Sequence, residues 1–278
     1  MHGVEANGAR IPALGLGTWT LAGEECAQIV VHALQLGYRH VDTAHMYRNE
    51  ADVGKGLRAS GVARDDVFVT TKVWPTDIAP GDLERSAETS LKLLGLDQVD
   101  LLLIHWPNPQ IPLEGSIRAL NNARRAGLTR HIGVSNFTTA LLSRALELSE
   151  APLVANQVEH HPYLDQSKVL RMCRQAGMAM VSYCPLARGR DLFEQEAIVS
   201  AAGRHGKTPG QVVLRWHVQQ QGVVAIPRTT KKERLAENAA IFDFALSDEE
   251  MEAISSLTVR NLRICDGGFA PEWDASSN

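Results

Sequence analysis

Eight short runs of aliphatic and β-branched residues alternate with longer amphipathic runs along almost the whole chain. The short runs are predicted strands, at residues 13–19, 38–43, 67–72, 99–104, 131–135, 154–159, 178–183 and 223–227. The runs between them predict helices at residues 24–36, 49–60, 80–94, 113–126, 138–149, 166–176 and 209–221. Six of these seven helices end at a glycine, the usual C-cap residue. Such alternation predicts a parallel sheet, and eight strands in 278 residues favour a closed (β/α)₈ TIM barrel of the α/β class.

Elements outside this alternation are predicted at both ends of the chain. Asn7-Gly8 lies between two short extended arms, and Asn-Gly suits the type I′ turn of a β-hairpin. Two extra helices are predicted near the carboxyl end, at residues 230–240 and 248–257. The second starts with a capping box from Ser247 to Glu250. The segment after it is rich in Gly and Pro and predicts an irregular tail.

A doubly wound open sheet is the alternative architecture. Such a sheet would usually carry a G-x-G-x-x-G turn after its first strand, and the sequence has none. No shift in composition marks a second domain, so we expect residues 1–278 to form a single barrel domain.

Composition narrows the range of partners. The net charge is −4 with both signs interspersed, which argues against a nucleic-acid partner. The four cysteines are far apart in sequence and form no C-x-x-C motif, which is typical of reduced, mostly buried thiols in a cytosolic protein. The first residues do not resemble a signal peptide, and no apolar run approaches the roughly 20 residues of a membrane span. We therefore expect a cytoplasmic protein with no membrane partner, and we also expect it to be a monomer.

Four chemically active side chains lie at or near the carboxyl ends of three successive predicted strands. Asp42, Lys72 and His105 end the second, third and fourth strands, and Tyr47 lies in the loop after Asp42. In a barrel of this kind the active site lies at that end of the strands. Each residue alone is more simply explained as a cap or an ion-paired structural group. An Asp–Lys pair, however, does not explain the imidazole and the phenol beside it.

A catalytic role accounts for all four. A tyrosine hydroxyl has a pKa of about 10 and is a poor proton donor until a cation approaches. A unit charge at about 4 Å contributes roughly 4 kcal/mol at an effective dielectric of 20, or about three pKa units. Lys72 is that cation, Asp42 holds it, and His105 would orient a reacting carbonyl. We see no metal site or nucleophile elbow, so the natural supplement is an external hydride donor.

Six motifs resemble those of the aldo-keto reductase superfamily, in order and on the expected strands. They are "GYRHVDTAHMYRNE", "TTKVW", "LLLIHWP", "IGVSNF", "NQVEHHPYL" and "AIPRTTKKERLAEN", and the resemblance runs from about residue 7 to residue 258. Within the superfamily, "HGKTPGQVVLRWH" and "FAPEWD" resemble bacterial 2,5-diketo-D-gluconate reductases. The resemblance implies NADPH-dependent carbonyl reduction with Tyr47 as general acid, supported by Lys72, Asp42 and His105.

The stretch "PRTTKKERLAEN" predicts the cofactor phosphate site. Arg228, Lys231, Lys232 and Arg234 surround a predicted helix start, where Thr230 and Glu233 have capping-box spacing. Cations oppose the dipole at a helix N-terminus, and a bound anion would reverse that effect. A 2′-phosphate fits, which favours NADPH over NADH. A solvated basic face would account for Lys232 equally well.

The resemblance also assigns residues to the rest of the cofactor. It implies adenosine-phosphate contacts from Arg228, Thr229 and Arg234, although many members have lysine where Arg228 stands. The adenine would lie near Glu237 and Asn238. It implies carboxamide contacts from Ser135, Asn136 and Gln157, stacking by Tyr183, and a pyrophosphate cover formed by Leu186 and Arg188.

Three tryptophans that follow strand ends, Trp19, Trp74 and Trp106, are predicted substrate walls. The loops after His105 and after the seventh strand are short, which favours small polar carbonyl substrates such as 2,5-diketo-D-gluconate or methylglyoxal. Arg188, Arg260 or Arg263 could attract a substrate carboxylate. His160 and His161 are adjacent and cannot easily share one ion, so no metal is expected.

Two other functions remain open on the same barrel. A non-catalytic NADPH-sensing regulatory subunit would bind the cofactor without turnover. A Schiff-base lyase would use Lys72 as a neutral amine, but a close Asp42 favours the charged ammonium.

Overall fold

The computed structural model describes residues 2–276, which begin with an antiparallel hairpin. Its strands are β1 (Gly3–Ala6) and β2 (Ala9–Pro12), joined by Asn7 and Gly8. Both turn residues have positive φ, at 46° and 88°, as a type I′ turn requires. The apolar side chains of Ala6, Ala9 and Ile11 pack against residues that point into the barrel. The predicted hairpin is therefore confirmed, and it packs against the barrel interior.

Eight parallel strands follow and are hydrogen-bonded in sequence order. They are β3 (Leu16–Gly17), β4 (His40–Asp42), β5 (Phe68–Val73), β6 (Val99–Ile104), β7 (Thr129–Ser135), β8 (Leu153–Glu159), β9 (Ala179–Tyr183) and β10 (Val223–Ala225). A parallel bridge between Leu14, two residues before β3, and Ala225 of β10 brings the first and last strands together. The (β/α)₈ barrel predicted from the alternation is confirmed.

Ten α-helices are present among residues 2–276. They are α1 (Gly23–Gln35), α2 (Glu50–Ala59), α3 (Asp82–Leu94), α4 (Leu113–Arg125), α5 (Thr139–Leu148), α6 (Ser167–Gln175), α7 (Glu196–His205), α8 (Pro209–Gln219), α9 (Lys232–Ala239) and α10 (Asp248–Ser255). The six glycines predicted to stop helices all have positive φ. The Ser247–Glu250 capping box at the start of α10 forms as predicted.

Two apolar layers hold the barrel together. Inside it, residues such as Leu101, Val181 and Val224 fill the interior above the hairpin. Outside it, a larger buried cluster packs the strands against the surrounding helices. All residues of β5, β6 and β8 are buried, as expected for strands covered on both faces. No helix in residues 2–276 is long and apolar enough to cross a membrane.

Candidate active site

Asp42, Lys72 and Tyr47 meet at the carboxyl end of the barrel. The ammonium Nζ of Lys72 donates to Asp42 Oδ1 at 2.5 Å and lies 3.3 Å from the Tyr47 hydroxyl oxygen. It also donates to the Thr43 carbonyl at 2.8 Å. Gln157 Nε2 donates to the second Asp42 oxygen at 2.7 Å. Lys72 is 0 % exposed, so the carboxylate supplies the countercharge that a buried ammonium needs.

The local chain course explains why these groups converge. Asp42 is the last residue of β4, and Lys72 lies one residue before the end of the adjacent strand β5. A 3₁₀ turn, His45–Tyr47, then brings the phenol back over the strand ends, and the turn ends at Arg48 with a φ of 57°. The spatial convergence predicted from the sequence is therefore observed.

The charges act on the pKa values in opposing directions. Burial raises the pKa of Tyr47, while the charge of Lys72 lowers it and Asp42 partly offsets the lysine. The influence of Lys72 has the predicted sign, but burial is the larger effect, so the phenol is not acidified overall. The pKa of Lys72 is itself raised, because Asp42 and Tyr47 outweigh the effect of burial. A charged Lys72 does not suit the Schiff-base alternative.

His105 lies across the site from Tyr47. It follows β6 directly, and its backbone N–H donates to the Val73 carbonyl at 2.9 Å. Its ring lies edge-on to the Tyr47 ring, with centroids 5.7 Å apart. Burial and the charge of Lys72 hold the pKa of His105 well below its ordinary value, so the ring is neutral near pH 7.

The tautomer of this neutral ring follows from its surroundings. Within residues 2–276, the buried Nδ1 of His105 has no hydrogen-bond partner. A buried N–H without an acceptor is costly, so the proton is better placed on Nε2. His105 can then donate a hydrogen bond from Nε2.

Ser135, Asn136, Gln157 and Tyr183 form a connected polar group at the ends of β7, β8 and β9. The Ser135 hydroxyl donates to the Gln157 carbonyl at 2.8 Å, and the Tyr183 hydroxyl donates to Asn136 Oδ1 at 2.7 Å. Asn136 Nδ2 donates to the His105 carbonyl at 3.0 Å and adopts a left-handed backbone with a φ of 62°. The predicted carboxamide-binding residues therefore lie directly beside His105.

The predicted phosphate site differs from expectation in one respect. The capping box between Thr230 and Glu233 is wrong, because α9 begins only at Lys232 and has no side-chain cap. Instead the Thr229 hydroxyl accepts the Lys231 backbone N–H at 3.0 Å. The early residues of the segment turn locally onto Thr229 and delay the helix.

This delayed start leaves the cations near α9 available to a ligand. Arg228, Lys231, Lys232 and Arg234 are exposed, and none forms a salt bridge with a described residue. Asn238 is buried on the same helix, and the Glu237 carboxylate accepts from the Thr208 hydroxyl at 2.6 Å. Unpaired cations at an uncapped helix N-terminus fit an anionic group such as a nucleotide phosphate.

The three predicted substrate walls separate into two groups. Trp74 and Trp106 are joined through Phe269, whose ring centroid lies 5.1 Å from each. Trp74 also lies 5.3 Å from His105, edge-on. Trp19, in contrast, lies under the Arg188 guanidinium at 5.4 Å, and its carbonyl accepts from Arg228. Trp19 therefore lies beside Arg188 and Arg228, two residues that were predicted to bind the cofactor.

The irregular tail contributes groups that sequence reasoning missed. Trp273 lies 6.0 Å from Trp106, so two tail aromatics, Phe269 and Trp273, extend the wall. The buried Glu159 holds the tail by accepting the backbone N–H groups of Ile264 and Cys265, both at 2.6 Å. The cluster "FAPEWD" was visible in the sequence, but no local pattern showed which strand ends it covers.

The remaining charged and histidine candidates have structural partners. Arg260 pairs with Asp191 at 2.6 Å, and the Arg263 guanidinium stacks 3.7 Å from the Trp273 ring. His160 bonds the Ser182 hydroxyl and His161 bonds Glu159, each at about 3.0 Å. The described residues contain no group of three side chains that could hold a metal ion.

Comparison with known proteins identifies the class. The Aldo/keto reductase family model matches residues 13–259. Methylglyoxal reductase DkgB of Escherichia coli O157:H7 is 41% identical over 267 residues, which are 95% of this chain and 99% of that protein. A 9,11-endoperoxide prostaglandin H2 reductase of Trypanosoma cruzi is 40% identical over 254 residues, covering 90% of this chain and 89% of that protein.

Solved structures agree. The crystal structure of a protein provisionally named 2,5-diketo-D-gluconic acid reductase B has a TM-score of 0.96 and 50% identity, covering 99% of this chain and 98% of that one. A Bombyx mori aldo-keto reductase in complex with NADP has a TM-score of 0.88 and 34% identity, covering 95% and 94%. This chain therefore belongs to the Aldo/keto reductase family. It is an NADPH-dependent oxidoreductase, and the unpaired cations beside α9 fit that cofactor.

Proposed function

We propose that this enzyme reduces aldehydes and ketones to alcohols with Tyr47 as the general acid. The observation that carries the proposal is the buried Lys72 Nζ, 2.5 Å from Asp42 and 3.3 Å from the phenol oxygen. NADPH, when bound, supplies the hydride that reaches the carbonyl carbon. The phenol donates its proton to the carbonyl oxygen as negative charge develops there.

The other three residues support that proton transfer. Lys72 stabilises the tyrosinate that remains, which partly offsets the effect of burial on the phenol. Asp42 keeps Lys72 charged, and Gln157 in turn holds Asp42. His105, neutral and protonated on Nε2, donates a hydrogen bond that orients the carbonyl oxygen.

The cofactor would lie along the carboxyl ends of the strands. Arg228, Thr229 and Arg234 would hold the 2′-phosphate, which favours NADPH over NADH, with Glu237 and Asn238 near the adenine. The nicotinamide carboxamide would bond the polar group beside His105, formed by Ser135, Asn136 and Gln157, and the ring would stack on Tyr183. Leu186 and Arg188 would cover the pyrophosphate, and the Arg188 guanidinium lies over the ring of Trp19.

The proposed substrates are small polar carbonyls such as methylglyoxal or 2,5-diketo-D-gluconate. One relative is named a methylglyoxal reductase and another a 2,5-diketo-D-gluconic acid reductase, and each covers nearly the whole chain. Trp74 and Trp106 would form an apolar wall beside His105. We also propose that residues 1–278 form one domain acting as a monomer, although residues 1, 277 and 278 lie outside the described part of the chain.

Replacing Tyr47 with Phe tests the assignment. The Tyr47→Phe variant should lose about 10²–10⁴-fold in kcat, because a general acid contributes that much, while NADPH binding stays nearly unchanged. NADPH consumption with methylglyoxal and fluorescence titration of the cofactor measure the two quantities.

Tyr163→Phe, which removes a hydroxyl from a buried tyrosine outside the site, is the matched control. Wild-type turnover by Tyr47→Phe would remove Tyr47 as the acid. Tight NADPH binding without turnover on any carbonyl by the wild type would instead indicate the sensing subunit.

A further inference from the structure

Two cysteines that are distant in sequence are in contact at the mouth of the barrel. Cys184 follows Tyr183 at the end of β9, and Cys265 belongs to the carboxyl-terminal tail. Their Sγ atoms are 3.9 Å apart although 81 positions separate them. Both residues are partly exposed, whereas Cys26 and Cys173 are buried. The expectation of mostly buried thiols is therefore confirmed for Cys26 and Cys173 but not for this pair.

The backbone holds the two thiols in place independently of each other. On one side, the carboxylate of buried Glu159 accepts the Cys265 N–H at 2.6 Å, and His161 bonds the same carboxylate at 3.0 Å. On the other side, Cys184 adopts a left-handed backbone with a φ of 49°, directly after the last residue of β9. Cys265 is therefore anchored by Glu159, and Cys184 is positioned by the strand that it follows.

A cation lies beside the pair. Arg188 Nη2 is 3.8 Å from Cys265 Sγ, and the guanidinium favours a thiolate over a thiol. The hydrogen bond with Cys265 and the charge of Arg188 lower the pKa of the Cys184 thiol overall, while burial and the negative charge of Glu159 oppose them. A thiolate next to a second thiol is the arrangement found in cysteines that oxidise readily.

We propose that Cys184 and Cys265 form a redox-modification site that hydrogen peroxide converts reversibly into a disulfide. The Cys184 thiolate attacks the peroxide O–O bond, forming a sulfenic acid and releasing one water once a proton is taken up. The Cys265 sulfur then displaces the hydroxyl from that sulfenic acid, forming the S–S bond and releasing a second water. Peroxide is reduced by two electrons, and the two thiols are oxidised by two. Forming the bond closes the Sγ–Sγ distance from 3.9 Å to about 2.05 Å.

The disulfide would connect two segments at the mouth of the barrel. One is the segment that starts at Cys184 and includes Arg188, and the other is the tail that carries Phe269 and Trp273. Linked at Cys265, the tail should lose freedom relative to the strand end next to Tyr183. This site concerns thiol chemistry and stands whether or not Tyr47 is the general acid.

The test is peptide mapping of the full-length protein after treatment with hydrogen peroxide. Remaining thiols are alkylated, the protein is digested without reduction, and the cross-linked peptides are identified by mass spectrometry. We expect a Cys184–Cys265 link that dithiothreitol removes, while Cys26 and Cys173 stay alkylated. Hydrogen exchange of residues 266–276 should slow in the linked protein. Alkylation of both Cys184 and Cys265, or their separate oxidation to sulfinic acids without a link, would overturn the proposal.

Matched variants check the pairing. Cys184→Ser and Cys265→Ser should each abolish the link, and Cys26→Ser should retain it. A link from Cys265 to any other cysteine in the wild type would also overturn the assignment. These readouts do not depend on turnover, so they remain valid if the proposed catalytic roles are wrong.

Discussion

The barrel interior and the surface around α9 hold positive charge in opposite ways. In the interior, Lys72 is 0 % exposed and has a carboxylate at 2.5 Å, a carbonyl at 2.8 Å and a phenol at 3.3 Å. Around α9, Arg228, Lys231, Lys232 and Arg234 are exposed and form no salt bridge with a residue in 2–276. One region satisfies its cation completely, and the other leaves four cations for a ligand.

Positive charge therefore carries different information in the two regions. A buried charge must be satisfied within the protein, so its partners identify each other and the geometry reveals chemistry. Exposed cations have water as an alternative partner, so only their excess over nearby carboxylates indicates a ligand. Variants of the two regions should accordingly differ in what they damage. Substitutions in the interior should lower both the free energy of unfolding and the turnover rate. Substitutions around α9 should weaken only the binding of the cofactor.

Lys72→Met should have the largest effect on stability. It leaves Asp42 buried without its cation, and breaking a buried pair typically costs about 3–5 kcal/mol. Urea denaturation measures the loss, and turnover should disappear with it. Lys231→Met, on the exposed side, should change the free energy of unfolding by less than about 0.5 kcal/mol.

The double variant Lys72→Met/Asp42→Asn sharpens this prediction. Removing both charges eliminates the uncompensated carboxylate, so part of the lost stability should return. Additive losses would mean that the two side chains are not energetically coupled. Equal losses for Lys72→Met and Lys231→Met would remove the contrast between interior and surface.

Acid should also lower the stability of the protein through a buried interior residue, His40. Burial lowers the pKa of His40 from 6.5 to about 4, so the unfolded chain binds its proton before the folded protein does. The stability from this residue is complete above pH 6.5 and is lost as the pH falls towards 4. Its contribution reaches roughly 3–4 kcal/mol at most, since one pKa unit corresponds to about 1.4 kcal/mol.

Denaturation curves between pH 7 and pH 4 check the sign. The His40→Gln variant should show a shallower decline of the unfolding free energy than the wild type. The His32→Gln variant, changed at a half-buried position of α1, should follow the wild-type slope. An identical slope for all three proteins would show that His40 already carries its proton in the folded state.

Most of the barrel and its interior site could be predicted from the sequence. Local sequence patterns and the need of buried charges for partners both predict the same arrangement there. The alternation of apolar runs, together with the glycines that end the helices, located the eight strands. The positions of the strand ends then predicted that four residues lie at one rim of the barrel, namely Asp42, Tyr47, Lys72 and His105. The structure confirmed that convergence as geometry, and their catalytic roles remain predictions. The net effect on the Tyr47 pKa could not be foreseen, because burial depends on packing from distant segments.

Long-range contacts explain what the sequence did not show. The tail residues Phe269 and Trp273 cover strands more than 150 positions earlier, and no local pattern encodes that pairing. The Cys184–Cys265 contact was hidden for the same reason. The Thr230–Glu233 capping box failed because Thr229 offered the backbone a competing local hydrogen bond, which capping-box spacing alone does not reveal.

The smallest predicted effect tests the surface around α9. Arg234→Ala removes one of four exposed cations, so NADPH should bind about tenfold more weakly, or roughly 1.4 kcal/mol, through loss of a charge-assisted phosphate contact. NADH, which lacks the 2′-phosphate, should bind equally well to the wild type and the variant, and urea denaturation should show no change.

Arg144→Ala, an exposed arginine on α5, is the matched control and should affect neither cofactor. Raising the salt concentration should narrow the NADPH difference, since exposed charges are screened. Equal weakening of NADPH and NADH would place Arg234 away from the 2′-phosphate, and a loss of stability would mean that this surface, like the interior, is held by its own charges.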